Sequence, residues 1–582
     1  MTHYYLHFSK PSQHIVQIKV EFHAPAGMVE LRLPHWRPGR YELQNYARLV
    51  ADVSLRNQHE GEIPIEKVKT HSWQAELPSE GHYQLSYQFF AKQSDAGGTY
   101  FDADFLLFNG ITCLMYLADQ EEEPCHLQLE LPRGFQLSQN LPASGQGYLF
   151  ESFHQLVDSP FLAGRGLQHQ TLKVGDLPIH LWCLGQHSLD LEQLVSDVKQ
   201  YSQAQLDLWG PCPVEAYHYL YFFLPHRYRH GVEHHQSTVI VMGPGMSIHE
   251  KAQYKSLLEI SSHEFFHTWN VKALRPADMF PYQYESENYS RLHYITEGVT
   301  TYYGDLMLWK AGIWNLDQWL ESINGELARH YQTGANPYTS LAEASFDSWV
   351  NGYRVDGFPN RRISFYTKGY LVALLLDTEI RRMTEHRFSL DTVMQQLYHE
   401  ITMAKRGYTE SDYRRIIAAQ CGHDLDKFFQ SFVHGKADLR PALAELADHY
   451  GLHVFDMQPT NPSLGFWGLR TQKGESGKLT VEQCFPGSPA ESAGIPLGAE
   501  LIALDGHRIQ GDLDSLLGQL EPGEAHELHY FYFNQLKSVQ INPANYRYTT
   551  PQLMAGLRNE DITTQRMAQW HAIPSPQPYL SS

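Results

Sequence analysis

The stretch HEFFHTWN, His263 to Asn270, constrains the fold more than any other part of the chain. Histidines four positions apart share one face only if the segment is a helix. Two imidazoles on one face can then hold a zinc ion, with Glu264 between them placed to take a proton from an attacking water. One such helix supplies two ligands. A catalytic site needs a third from elsewhere and one open position, so the fold must carry a second ligand-bearing segment to this helix. With 33 His in 582 residues, a chance HExxH match is expected about 0.1 times per chain, and the other parts must be found.

Downstream, Glu297 in YITEGVTTYYGD opens a helical pattern and is the preferred third ligand. Glu285 and Glu287 are nearer but lie in YESENYS, a polar, loop-like stretch less able to aim a ligand; they remain the alternatives. Water attack on a carbonyl also calls for a donor to the oxyanion, which a Tyr hydroxyl can be. The 35 Tyr of the chain give composition no means of choosing one. In HGVEHHQSTVIVM (230–242), His230, Glu233, His234 and His235 crowd together. Neighbouring side chains on a strand point to opposite faces, which argues against a second metal there.

Around this centre the chain divides by pattern. Residues 1–172 read as strands: Val16, Ile18, Val20 and Phe22 alternate with polar residues, as do Tyr83, Leu85, Tyr87 and Phe89, and Leu127, Leu129 and Leu131. An antiparallel sandwich-like domain is expected. PHWRPGRY (34–41) reads as a turn packed on aromatics rather than a binding loop. Residues 173–455 mix strands (179–184, 217–224, 237–242) with helices, including one from about Leu191 and one from Tyr366 through LVALLLDTEIRRM. Another helix opens after Thr409, with Asp412 as a capping-box partner. FDMQPTNPS (455–463) reads as a linker, 456–545 as a third unit, and 546–582 as a tail whose order the sequence leaves open. The expected class is multidomain α+β.

A net charge of −20 disfavours nucleic-acid and anionic-membrane partners. The longest apolar run, LVALLL at 371–376, is far below transmembrane length. The opening MTHYYLHFSK has no apolar signal core, and six scattered Cys without a CxxC pair suit reduced thiols. A cytoplasmic location is expected.

The motifs HEFFHTWNVKALRP, TEGVTTYYGD and FYTKGYLVALLLD, taken in series, resemble the glycyl aminopeptidase family of gluzincin metallopeptidases. The resemblance spans about 1–545. It implies a β-rich N-terminal domain, a thermolysin-like catalytic domain and a C-terminal PDZ domain, with one zinc on His263, His267 and Glu297, Glu264 as base and Tyr366 as oxyanion donor. It further implies that Glu233, in the family's Gly-x-Glu-His element, binds the free α-amine of a peptide substrate, and that the strand after it pairs with the substrate backbone. The family's usual aromatic after Glu-Gly is Val299 here, and one of its glycines is His230 or Val232. The implied activity is removal of N-terminal Gly or Ala. FPGSPAESAGIPLGAELIALDGHRI resembles a PDZ core, with Leu464-Gly465-Phe466 as its carboxylate-binding loop and an extended peptide as its ligand. Two other readings are an endopeptidase or oligopeptidase on the same site, and a PDZ scaffold with a vestigial zinc site.

Overall fold

The structure is a computed structural model; it describes residues 1–582 apart from 58–60, 354–356, 475–476, 522–523, 544–545, 557–560 and 575–582. The alternating segments of the N-terminal part become strands whose apolar faces meet. Ile15–Ala24 pairs antiparallel with Gly81–Phe90, setting Val16 opposite Phe89, Ile18 opposite Tyr87, Val20 opposite Leu85 and Phe22 opposite Tyr83. All eight side chains are buried, each such burial contributing roughly 1.5–3 kcal/mol. These strands lie in an eight-stranded sheet backed by two four-stranded sheets. The layers are not wholly antiparallel, because Thr2–Lys10 runs parallel to Cys125–Glu130.

The second unit begins at strand Gln168–Val174, so the break expected at 172/173 falls inside that strand. Its five-stranded sheet runs in the order Gln168–Val174, Leu177–Leu184, Tyr217–Phe223, Ser237–Gly243, Tyr228–Glu233. The parallel step between Leu177–Leu184 and Tyr217–Phe223 is bridged by the helix Leu191–Trp209. Every residue of Ser237–Gly243 is buried, as expected for a strand covered on both faces and paired on both edges. That corrects one expectation: the strand after Glu233 has no free edge for a substrate. The open edge belongs to the strand before it, Tyr228–Glu233, which pairs only with Ser237–Gly243 among the described residues.

Helices follow: Lys251–Phe266 carries the metal motif, then come Thr300–Lys310, Leu316–Tyr331 and Phe365–Met383. Thr409 and Asp412 form the anticipated capping box of Glu410–Cys421. The segment 455–463 is less of a linker than its Pro content suggests. Phe455, Asp456 and Met457 lie on strand His453–Met457, paired with Thr550–Met554 from beyond the third unit.

That third unit holds its own core, including Trp467, Leu469, Leu501, Leu528 and Ile541, under an antiparallel sheet that runs from Leu469–Lys473 to Gln535–Ile541. Leu464, Gly465 and Phe466 fall in a short helix, Pro462–Trp467, rather than an open loop. Past it, the helix Asp561–His571 returns to the catalytic part, where Trp570 is fully buried. No helix among the described residues is long and apolar enough to cross a membrane.

Candidate active site

The motif helix ends at Phe266, and a wide π-helical turn, Thr268–Ala273, follows. Within that turn Asn270 leaves helical geometry (φ −107°, ψ 86°), and its carbonyl lies 2.8 Å from His267 Nδ1. A carbonyl can only accept, so Nδ1 carries a proton and Nε2 is the nitrogen turned to the cleft. This fixes the orientation of the imidazole, as metal-binding histidines require. The Asn270 side chain donates to the Ile295 carbonyl at 2.9 Å and to Thr300 Oγ1 at 3.0 Å, tying the motif helix to the segment that carries Glu297.

His263 Nε2 and His267 Nε2 stand 3.0 Å apart. Two nitrogens about 2.0–2.1 Å from one tetrahedral zinc would be separated by roughly 3.3 Å. Glu297 Oε2 is 3.5 Å from His267 Nε2 and 3.9 Å from His263 Nε2. Its other oxygen accepts from Tyr41 at 3.1 Å, which leaves Oε2 aimed at the histidines. Ligand atoms of His263, His267 and Glu297 all fall within 4.8 Å of one another, as do those of Glu233, Glu264 and His267. Of the alternatives to Glu297, Glu285 is taken by Arg32.

The electrostatics fit a cation. Three carboxylates, Glu233, Glu264 and Glu297, converge on two imidazoles, and no Lys or Arg among the described residues forms an ion pair with any of the three. Burial pushes the Glu264 carboxyl up to about 8, opposed by His267 and reinforced by Glu233 and Glu297. Burial holds His263 well below the usual imidazole range. Burial also opposes protonation of His267, but Glu297 and Glu233 outweigh it and raise it to about 9. A divalent ion among these donors would supply the missing positive charge, and the N₂O donor set suits zinc.

Glycines make the close approaches possible. A Cβ on Gly231, in the edge strand, would overlap the Glu264 carboxylate, and one on Gly39 would come within 2.6 Å of Glu233 Oε2. Gly298 and Gly369 face each other where the Glu297 segment crosses the helix Phe365–Met383; a Cβ on Gly298 would lie 2.5 Å from Gly369 Cα. This crossing brings Tyr366 beside Glu297. Gly298→Ala should therefore push the two segments apart, with a loss of roughly 1–3 kcal/mol and a fall in turnover. Thermal unfolding and kcat measured on one preparation check this, and a variant matching wild type in both would contradict it.

The cleft of ≈ 900 Å³ is lined by Glu233, His263, Glu264, His267, Glu297 and Tyr366, so the structure brings these six residues together, while Glu285 and Glu287 lie outside it. It also adds residues that sequence reasoning missed. Gly39 and Arg40 of the turn 34–41 line the cleft, and Tyr41 bonds Glu297, so the turn is packed on aromatics, as expected, and also forms a wall of the site. Tyr353 Oη lies 3.5 Å from Tyr366 Oη. The only advance signal was the density of Arg, Gly and Tyr in RPGRY. His234 pairs with Asp158 at 3.0 Å and His230 lies 3.6 Å from Asp95, and neither joins a metal-ligand group among the described residues.

This fold and site define a metallopeptidase. Residues 3–165 match the family model "Peptidase M61 N-terminal domain" and residues 256–372 match "M61 glycyl aminopeptidase". Among solved structures, an aminopeptidase N family protein from Idiomarina loihiensis superposes with a TM-score of 0.90 at 23% identity, covering 98% of this chain and 100% of that one. An M1 zinc metallopeptidase from Deinococcus radiodurans matches with a TM-score of 0.48 at 13% identity, covering 75% of this chain and 94% of its own. A mutant of such an enzyme, bound to Tyr-Ser-Ala, gives 0.47 at 14% identity over the same shares. No curated protein matches the sequence.

Proposed function

We propose that this metallopeptidase is a zinc-dependent aminopeptidase that releases small N-terminal residues, Gly or Ala, from peptides. The observation that carries the reading is the placement of Glu233. It ends the open edge strand, is buried, and lies with its carboxylate in one cluster with Glu264 and His267. A buried carboxylate there, with no Lys or Arg ion pair among the described residues, is suited to hold a substrate ammonium by a charge-assisted hydrogen bond. That contact sets the scissile carbonyl one residue from the amine. The backbone of Tyr228–Glu233 offers its unpaired edge to the substrate chain.

His263, His267 and Glu297 would hold the zinc, which when bound supplies a Lewis acid for the carbonyl and lowers the pKa of water. Glu264 takes the proton of the attacking water and delivers it to the leaving nitrogen. Tyr366 donates to the carbonyl oxygen as negative charge develops on it. For the third unit, the separate core, the helix Leu513–Leu517 and the strand Leu469–Lys473 support a PDZ-type peptide-binding module. The helical conformation of Leu464–Phe466 is the feature that fits it least.

Glu233→Ala is expected to cost at least about tenfold in kcat/KM on free-amine substrates and to erase the preference for them over N-acetylated peptides. An unchanged preference would remove Glu233 from this role and leave the endopeptidase reading.

A further inference from the structure

Glu233 has a second side. It also borders a smaller cavity, ≈ 100 Å³, enclosed by Arg37, Asp158, Lys272, Arg275 and Tyr282 among others. Glu233 thus lines both this cavity and the catalytic cleft. A peptide whose ammonium rests on Glu233 has its first side chain branching from the next atom along, at the mouth of this space.

The charged groups of the cavity wall are not equally engaged. Asp158 is satisfied on both oxygens, by Lys272 at 2.7 Å and His234 at 3.0 Å, so Lys272 and Asp158 neutralise each other. Arg37 donates to the Pro38 carbonyl at 3.1 Å and lies 3.4 Å from His230 Nε2. Arg275 differs. Its guanidinium lies 3.8 Å from the centre of the Tyr282 ring, yet it has no ion pair or side-chain hydrogen bond among the described residues, and its buried Nε is without a partner. Stacking on the ring positions the planar group but satisfies none of its donors. A held guanidinium with empty donors at the wall of a small cavity is complementary to a carboxylate, which it can bind in bidentate fashion.

We propose that this cavity receives the side chain of the first substrate residue and that Arg275 selects an aspartyl or glutamyl carboxylate there. The proposal rests on the aminopeptidase reading, since the amine on Glu233 fixes which side chain meets the cavity. Gly and Ala would leave the space to water, so acidic residues extend the range of substrates instead of replacing it.

The test compares aspartyl, asparaginyl and alanyl p-nitroanilides. Asp and Asn differ in charge at nearly equal shape, so kcat/KM for Asp should exceed that for Asn by roughly 10- to 100-fold. In Arg275→Gln that ratio should fall towards one. A wild-type ratio at or below one, or a ratio that survives the substitution, overturns the proposal. Should the variant fail to fold, inhibition of alanyl hydrolysis by free amino acids decides on the wild-type enzyme: aspartate should act at about a tenth of the asparagine concentration, and equal potency overturns the assignment. Alanyl turnover without acid preference sinks only the cavity assignment. Cleavage of N-acetylated peptides with no turnover of any aminoacyl substrate would sink the aminopeptidase reading and this proposal together.

Discussion

Glu264→Gln is expected to lower kcat by about 10²–10⁴-fold while leaving the metal content of the protein unchanged. Glutamine keeps the shape of the side chain in a space trimmed by the missing Cβ of Gly231, so packing is preserved. What it loses is a group that can accept a proton and return it. The metal-side donors are His263, His267 and Glu297, and none of them is altered. Retained turnover, or lost metal with lost turnover, would contradict the assignment of Glu264 as base.

The second large effect lies outside the cleft lining. Trp570→Ala should destabilise the protein by roughly 3–5 kcal/mol, the cost of emptying a fully packed indole site. Trp570 stacks on Tyr450 at 3.9 Å between ring centres and donates to Asp377 at 3.1 Å. The backbone on either side of it also satisfies buried cations: Lys310 donates to the Ala572 carbonyl and Arg381 to that of Gln569, both at 3.1 Å. These cations sit in a buried network with Asp377 and Asp391, where an unsatisfied charge is costly. Denaturant unfolding of the full chain measures this, and a loss under about 1 kcal/mol would show that the helix is a loose appendage.

The cluster of His263, His267 and Glu297 was legible because its parts sit on helices, where spacing fixes direction. His263 and His267 follow from periodicity alone, and Glu297 was preferred over Glu285 and Glu287 because a helix start aims a ligand better than a loop does. Glu285 indeed goes to Arg32. Less legible was everything that depends on long-range packing. Tyr41 reaches Glu297 across 256 positions of sequence, and no local pattern announces such a contact. Strand order was hidden for the same reason. The stretch HGVEHHQ singles out Glu233 but cannot say which of two adjacent strands is left at the edge, and the edge proved to be Tyr228–Glu233. The tail was undecidable because its polar composition masks a single buried indole.

In sequence, Gly298 and Gly369 are merely members of TEG and YTKG. In the fold they are the point where two segments touch, and that contact places Tyr366 next to Glu297. The motif thus encodes a crossing as well as its reactive side chains.

In the proposed mechanism, a metal held by His263, His267 and Glu297 would work together with an amine anchor at Glu233. The most direct measurement is the rate of hydrolysis of an alanyl peptide beside its N-acetyl analogue, before chelation, after it, and after zinc is restored. Cleavage of the free peptide alone is expected, lost with chelator and recovered with zinc. Equal cleavage of both peptides, or cleavage that survives complete removal of metal, would contradict it.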